Sequence, residues 1–303
     1  MNNPLLSICI PTYNRSNYLK VCLDSIISQF ANKEISGQVE IVISDNASTD
    51  DTQETIAEFK KKFSNIKYSR NNKNLGFDRN LLKVIDESTG KYCLILGDDD
   101  ALFPESLSVI LNKITETKAL FLELNYRGYD HNLQKPISSS PGRKITEDVI
   151  FKSLYDFVHS IKKYPELVGN FGGISTKLFL REPWVNYKEK ELFVGSQCAH
   201  LFILLTVFKD KPYAQIAIPL IKTRSSNVRW ETFTGLETAS GRIKETIKSV
   251  MWIKEKYNLP ISDLKINFYF LSREYWFTLK EIIKKMLSKL GLGDIINYYR
   301  KTR

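Results

Sequence analysis

Three adjacent carboxylates, Asp98, Asp99 and Asp100, stand in "LGDDDAL" at residues 96–102, directly after the apolar run "KYCLIL". Like charges placed this close repel one another. A solvated turn tolerates them, since Asp is a good turn former. The chemical alternative is a site for Mg²⁺ or Mn²⁺, hard cations that prefer carboxylate oxygens and whose charge removes the repulsion. A second group, Arg224, Asn227, Arg229 and Trp230 in "IKTRSSNVRWETF" (221–233), is close-set without helical apolar spacing. It reads either as a surface loop or as a mobile loop that closes over a phosphate-bearing ligand, because an Arg can bind two phosphate oxygens at once.

The elements that must position these residues are legible from periodicity. "LLSICIPTY" (5–13), "QVEIVISD" (38–45), "IKYSRN" (66–71) and "YCLIL" (92–96) are short β-prone runs. Between them lie helical patterns: 14–30 with Leu19, Cys22, Leu23 and Ile26, then 52–63, then 75–89 opening at Gly76. A fourth, 104–117, has Pro104 at its start. Strand and helix thus alternate four times, which implies an α/β fold with a mostly parallel sheet flanked by helices. Ligands bind such sheets just beyond the carboxyl ends of the strands. "PTYNR", "SDNASTDD" and "GDDD" all fall there, so three polar clusters share one rim.

Composition sets the outer bounds. The chain has 303 residues, 43% hydrophobic and 26% charged, as in an ordinary soluble globular protein. No apolar run is long enough for a membrane span. The N-terminus does not read as a signal peptide, so a cytoplasmic start is expected. Cys9, Cys22, Cys93 and Cys198 occur singly and read as small buried hydrophobes. The net charge of +10 is uneven: −2 over residues 1–100 and +12 over the rest, which suits an anionic partner. No nucleic-acid-binding motif is present, so no nucleic acid is expected. No GxGxxG follows the first strand and no GxxxxGK[ST] occurs, which argues against a dinucleotide dehydrogenase and a P-loop NTPase.

Taken in order, "SICIPTYNRSNYLKVCLDSI", "EIVISDNASTDDT", "NLGFDRN" and "YCLILGDDD" resemble the inverting nucleotide-sugar glycosyltransferases of family 2, with the GT-A fold. Within that family they are similar to the abequosyltransferase-like O-antigen sugar transferases. The resemblance covers residues 5–110 and implies roles. Pro11, Thr12, Tyr13 and Asn14 would floor the pocket for the donor base and ribose. Asp45 would accept from the base, and Arg79 would approach base and phosphates. Asp98 would touch ribose or metal, Asp100 would be the main metal ligand, and Asp99 stands between them with no direction assigned. The donor would be a nucleoside diphosphate sugar and the cofactor Mg²⁺ or Mn²⁺, which steadies charge on the leaving diphosphate.

The resemblance also implies an acceptor segment. "GNFGGISTKLFLREPW" (169–184) is similar to the family's glycine-rich one, with Gly172 and Gly173 allowing close approach of a sugar and Arg181 where the family often has an Arg. An inverting transferase needs a base for the acceptor hydroxyl, in this family usually from an acid pair. Here "GSQ" (195–197) replaces that pair, leaving Glu191 before it and His200 after it as the nearest candidates. Each has a plainer reading, Glu191 as a solvated carboxylate and His200 as a hydrogen-bonded buried histidine, and His200 is the favoured base. The loop at 224–230 would then close over the donor diphosphate or the acceptor.

Residues 275–303 form a basic amphipathic pattern, Tyr275, Trp276, Leu279, Ile282, Ile283, Met286, Leu287 and Leu290 sharing one face. The segment either lies on an anionic bilayer or packs on protein. The expected organisation is a GT-A domain at 1–220, with a donor part at 1–118 and an acceptor part at 119–220, then a loop and helical region at 221–303. The expected function is metal-dependent inverting transfer of a sugar to a lipid-linked or surface glycan, peripheral at the inner face of the cell membrane. A sugar nucleotidyltransferase and a non-catalytic nucleotide-sugar or glycan-binding protein are the alternatives.

Overall fold

A computed structural model describes residues 3–225, apart from 139, 141, 161–162, 164–166 and 168–172, together with 252 and 255–258. The first half runs β1 (Leu6–Thr12), α1 (Ser16–Ile27), α2 (Lys33–Ser36), β2 (Val39–Asp45), α3 (Thr52–Lys62), β3 (Ile66–Arg70), α4 (Phe77–Asp86), β4 (Tyr92–Ile95). These strands are parallel in the order β3-β2-β1-β4. Every residue of β1 and β2 is buried, as a sheet covered on both faces requires. Alternation sorts the side chains. Ile8, Ile10, Ile41 and Ile43 pack with Leu19, Leu23 and Ile26 of α1 and Ile56 and Phe59 of α3. Cys9 and Val42 face Leu81, Val84 and Ile85 of α4 on the other side. All four cysteines are buried and free.

The second half is β5 (Ala101–Leu102), α5 (Ser106–Thr117), β6 (Phe121–Tyr129), β7 (Val149–Phe151), α6 (Leu154–Ser160), β8 (Lys177–Leu180), α7 (Arg181–Asn186), α8 (Ala199–Val207), β9 (Tyr213–Arg224). It makes the sheet mixed. β8 slots between β4 and β6, antiparallel to both. β9 lies parallel to β6 and carries β5 and β7 antiparallel on its outer edge. The fold class is the expected one. The antiparallel half does not follow from the early alternation, because β8 enters from the ligand-binding rim and runs away from it.

Register places the acid triplet. Cys9 pairs with Ile95, so Thr12 and Asp98, three residues further along each chain, lie level beyond the strands. At the centre of the mixed half, Glu123 on β6 stands opposite Lys177 on β8. Glu123 Oε1 accepts from Lys177 Nζ at 2.7 Å, from Thr176 Oγ1 at 2.7 Å and from Arg143 Nη1 at 3.3 Å. Both ion pairs have fully buried side chains.

Candidate active site

The ends of β1, β2 and β4 open into a half-open cleft, at the place where parallel sheets bind ligands. Pro11, Thr12, Tyr13 and Arg15 line it from the end of β1, Asn46 from the end of β2, and Asn74, Phe77 and Asn80 from the start of α4. Gly97, Asp98, Asp99 and Ile174 complete the wall.

The acid triplet is held from several sides. Thr12 Oγ1 donates to Asp98 Oδ2 at 2.8 Å. Arg15 Nη1 reaches Asp98 Oδ1 at 3.1 Å and Asp99 Oδ2 at 3.0 Å. Burial works against the Arg15 charge, but Asp98 and Asp99 outweigh it and hold the guanidinium above its ordinary value. Asp100 accepts the Ser175 hydroxyl on Oδ2 and the Arg224 N–H on Oδ1 at 2.9 Å. Arg224 Nε also donates to the Asp99 carbonyl at 2.7 Å, and its guanidinium lies 4.8 Å from the centre of the Tyr18 ring. Burial, followed by the neighbouring carboxylates, pushes Asp100 up to about 8. Asp98 rises to about 6 because burial outweighs the Arg15 charge.

Among the described residues no group of three or more His, Cys, Asp or Glu converges on one point as a metal cage. A Mg²⁺-type site does not need one, since one or two carboxylates with phosphate and water oxygens complete its shell. The triplet fits that description. Its donors are hard oxygens, each carboxylate retains unused lone pairs, and the crowding that raises Asp98 and Asp100 is what a divalent charge relieves.

Beside the triplet the floor is an asparagine network. Asn46 Oδ1 accepts from Asn71 Nδ2 at 3.0 Å and from the Leu75 N–H at 2.8 Å. Asn80 Oδ1 accepts from Ser44 Oγ at 2.8 Å and Asn71 Nδ2 at 3.0 Å. Asn14, at φ 52, ties the two rim loops by accepting from the Thr49 N–H at 2.7 Å. Asp45 is fully buried below this floor. Its carboxylate accepts from the Ser48 N–H at 2.8 Å and the Tyr68 hydroxyl at 2.9 Å. Asn46, the next residue, lines the cleft in its place.

Other sequence-expected residues lie elsewhere. Arg79 and Glu191 do not line the cleft; they pair with each other at 2.9 Å, both largely exposed. Arg181 lies at the opposite end of the strands, because β8 runs away from the cleft. There it donates to Ser88 Oγ at 3.0 Å and to the Asp86 carbonyl at 3.1 Å, at the end of α4. His200 is 1% exposed in the first turn of α8, with no surface on the cleft. A base must come within hydrogen-bond reach of the proton it takes, and neither candidate lines the cleft. We expect His200→Ala to lower the melting temperature, at a cost of about 1–3 kcal/mol, while turnover per folded molecule stays within about threefold. A fall of 10²-fold at unchanged stability would restore His200 as the base.

Gly173 is half-buried and leads into Ile174 and Ser175, which do reach the site. Gly172, Asn227, Arg229, Trp230 and the helical pattern at 275–303 lie outside the described residues. Arg15, Asn46, Asn80 and Ser175 are the residues the sequence reading passes over. Each lies in or beside a segment already singled out: Arg15 ends the rim segment "PTYNR", Asn46 lies in "SDNASTDD", Asn80 ends "NLGFDRN", and Ser175 stands two residues past the paired glycines.

A family model described as Glycosyl transferase family 2 matches residues 7–174. The chain is 32% identical over 231 residues to the abequosyltransferase RfbV of Salmonella typhimurium, covering 75% of this chain and 68% of that one. It is 27% identical over 211 residues to a GalNAc(5)-diNAcBac-PP-undecaprenol beta-1,3-glucosyltransferase of Campylobacter jejuni, covering 69% and 62%. Among solved structures, S. aureus TarS 1-349 in complex with UDP-GlcNAc superposes with a TM-score of 0.68 at 15% identity, over 91% of this chain and 75% of that one. The mannosyltransferase PcManGT of Pyrobaculum calidifontis, in complex with GDP-Man and Mn²⁺, does so with a TM-score of 0.50 at 13% identity. At these identities the two structures speak for a shared GT-A-like fold.

Proposed function

The chain belongs to glycosyl transferase family 2, and we propose that it moves one sugar, with inversion and with the help of a divalent metal, from a nucleoside diphosphate sugar to a lipid-linked or surface glycan. Membership makes it a glycosyltransferase and sets aside the nucleotidyltransferase and non-catalytic alternatives. The observation that carries the donor reading is the cleft itself, with the acid triplet level with Thr12 at the carboxyl ends of parallel strands. That fold neighbours hold UDP-GlcNAc and GDP-Man supports it. A relative named for a PP-undecaprenol-linked glycan supports the acceptor class. Among the described residues no helix is long and apolar enough to cross a membrane; a peripheral position at the inner face, through 275–303, suits such an acceptor.

In this reading the bond from the anomeric carbon to the diphosphate breaks, its electron pair leaving with the diphosphate, as the acceptor oxygen bonds to that carbon. A general base takes the acceptor hydroxyl's proton in the same step. Negative charge then gathers on the leaving diphosphate. Asp100 and Asp98 would hold Mg²⁺ or Mn²⁺, which when bound supplies positive charge to that leaving group. Arg15 keeps Asp98 and Asp99 fixed, so the triplet need not reorganise as charge develops. Tyr13 and Pro11 offer an apolar floor, and the asparagine network supplies fixed amide dipoles for a base and ribose.

The test is a thermal-shift screen of UDP, GDP, CDP and dTDP with Mn²⁺. One of them should raise the melting temperature by several degrees, since ligand at 100 times its Kd adds about 2.7 kcal/mol to the folded state. No response to any of the four would remove the donor reading.

A further inference from the structure

We propose that Asp78 is a positioning residue that ties the segment Gly195–Ala199 to the turn of α4 flooring the donor cleft. The proposal rests on the reading of that cleft as the donor site. Asp78 is 4% exposed in the first turn of α4. Its Oδ2 accepts the N–H groups of Gly195 at 2.7 Å and Gln197 at 3.0 Å, and its Oδ1 accepts that of Ala199 at 3.4 Å. Three backbone donors from one short segment thus converge on one carboxylate more than a hundred residues away.

The segment needs such a partner. Gly195 and Gln197 sit at φ 94 and φ 58, left-handed conformations that a Gln adopts only when its surroundings impose them. Ala199 opens α8, whose N-cap residue, Cys198, makes no side-chain capping bond. The first N–H groups of a helix have no partner within it and favour negative charge. Asp78 supplies both from another helix. Burial nonetheless pushes its carboxyl up to about 6, so the fold accepts a cost that a Ser or Asp at position 198 would avoid.

What a local cap would not provide is the link to the cleft. The neighbours of Asp78 in the same turn, Phe77 and Asn80, line the cleft, while Arg79 reaches out to Glu191 in the 3-10 turn Lys190–Phe193. One turn therefore faces the donor with two residues and the 191–199 stretch with the other two. The two sides are not equally firm. Asn80 is locked by Ser44 and Asn71, and Leu81, Val84 and Ile85 are fully buried. If the tie is cut, α4 stays and Gly195–Ala199 moves.

The experiment compares the parent with Asp78→Asn and Asp78→Asn/Cys198→Ser, using the nucleoside diphosphate found in the screen and its sugar as donor. In Asp78→Asn one oxygen becomes an NH₂ group that faces N–H donors. The expected result is turnover reduced about 10–100-fold, the scale of a misplacement of about 1 Å transmitted to the site from a distance, with donor KM and nucleoside diphosphate affinity unchanged within about twofold. Amide exchange should quicken in a peptide spanning 193–201 and stay as in the parent over 77–86. Cys198→Ser should return melting temperature by capping α8 without returning turnover. Should Asp78→Asn fail to fold, Asp78→Glu, which keeps charge and acceptors but lengthens the tie, should show the same split. Parent-like turnover in Asp78→Asn, or full recovery of turnover by Cys198→Ser, overturns the proposal. Failure of the parent to bind any nucleoside diphosphate overturns the donor reading first, and this one with it.

Discussion

Asp100→Asn should leave the protein folded and weaken its Mn²⁺-dependent binding of a nucleoside diphosphate by about 10²-fold, a few kcal/mol of lost charge stabilisation. Folding survives because burial has already raised the Asp100 carboxyl to about 8, so the neutral form is the comfortable one without a cation, and Asn resembles it. The Asn carbonyl still accepts from one of the two donors, the Ser175 hydroxyl or the Arg224 N–H. What is lost is the anionic oxygen that a hard cation requires. Isothermal titration with and without Mn²⁺ checks this. Metal-free affinity should change little, and transfer should fall at least as far as metal-dependent binding does. Parent-like affinity in the presence of Mn²⁺ would take Asp100 out of the metal role.

Glu123→Gln should have the largest effect on stability, roughly 3–5 kcal/mol, because removing one partner of a buried ion pair strands the other. Here two cations lose their carboxylate and keep neutral partners, the Thr176 hydroxyl for Lys177 and backbone carbonyls for Arg143. Lys177 and Arg143 both lean on Glu123 Oε1, and all three side chains are fully buried. Lys177 has already been brought down to about 8 by burial, against the opposing pull of Glu123. Without the carboxylate it releases its proton more readily, and this limits the loss. Urea unfolding at pH 7 measures the loss. Replacing Glu123, Lys177 and Arg143 together by apolar residues of similar size should recover most of it, as such exchanges are often neutral or better. A single Glu123→Gln costing under about 1 kcal/mol would mean that the cluster is hydrated and the pairs do little.

The strand ends carry their meaning in the chain itself. "PTYNR", "SDNASTDD" and "GDDD" are polar, and each follows an unbroken apolar run. Parallel strands deliver such ends to one rim whatever their order in the sheet. Thr12, Tyr13, Asp98 and Asp99 were therefore legible as neighbours, and the family could be recognised from four ordered segments. Asn46 was harder to see. It adjoins Asp45, and a one-residue step at the end of a strand exchanges a cleft-lining side chain for one buried beneath it.

Local order along the chain thus determined the fold class, the rim and the acid triplet, because periodicity of 2 and 3.6 sorts side chains into faces before any long-range contact exists. Only the tertiary structure decided what lies more than one element away. The direction of β8 sends Arg181 to the far end of the strands and brings Ser175 to Asp100. The packing of α8 buries His200. The approach of Gly195–Ala199 to α4 gives Asp78 three backbone partners more than a hundred residues away. Such contacts arise from how helices and strands of different segments stack, and no spacing within a single segment encodes that.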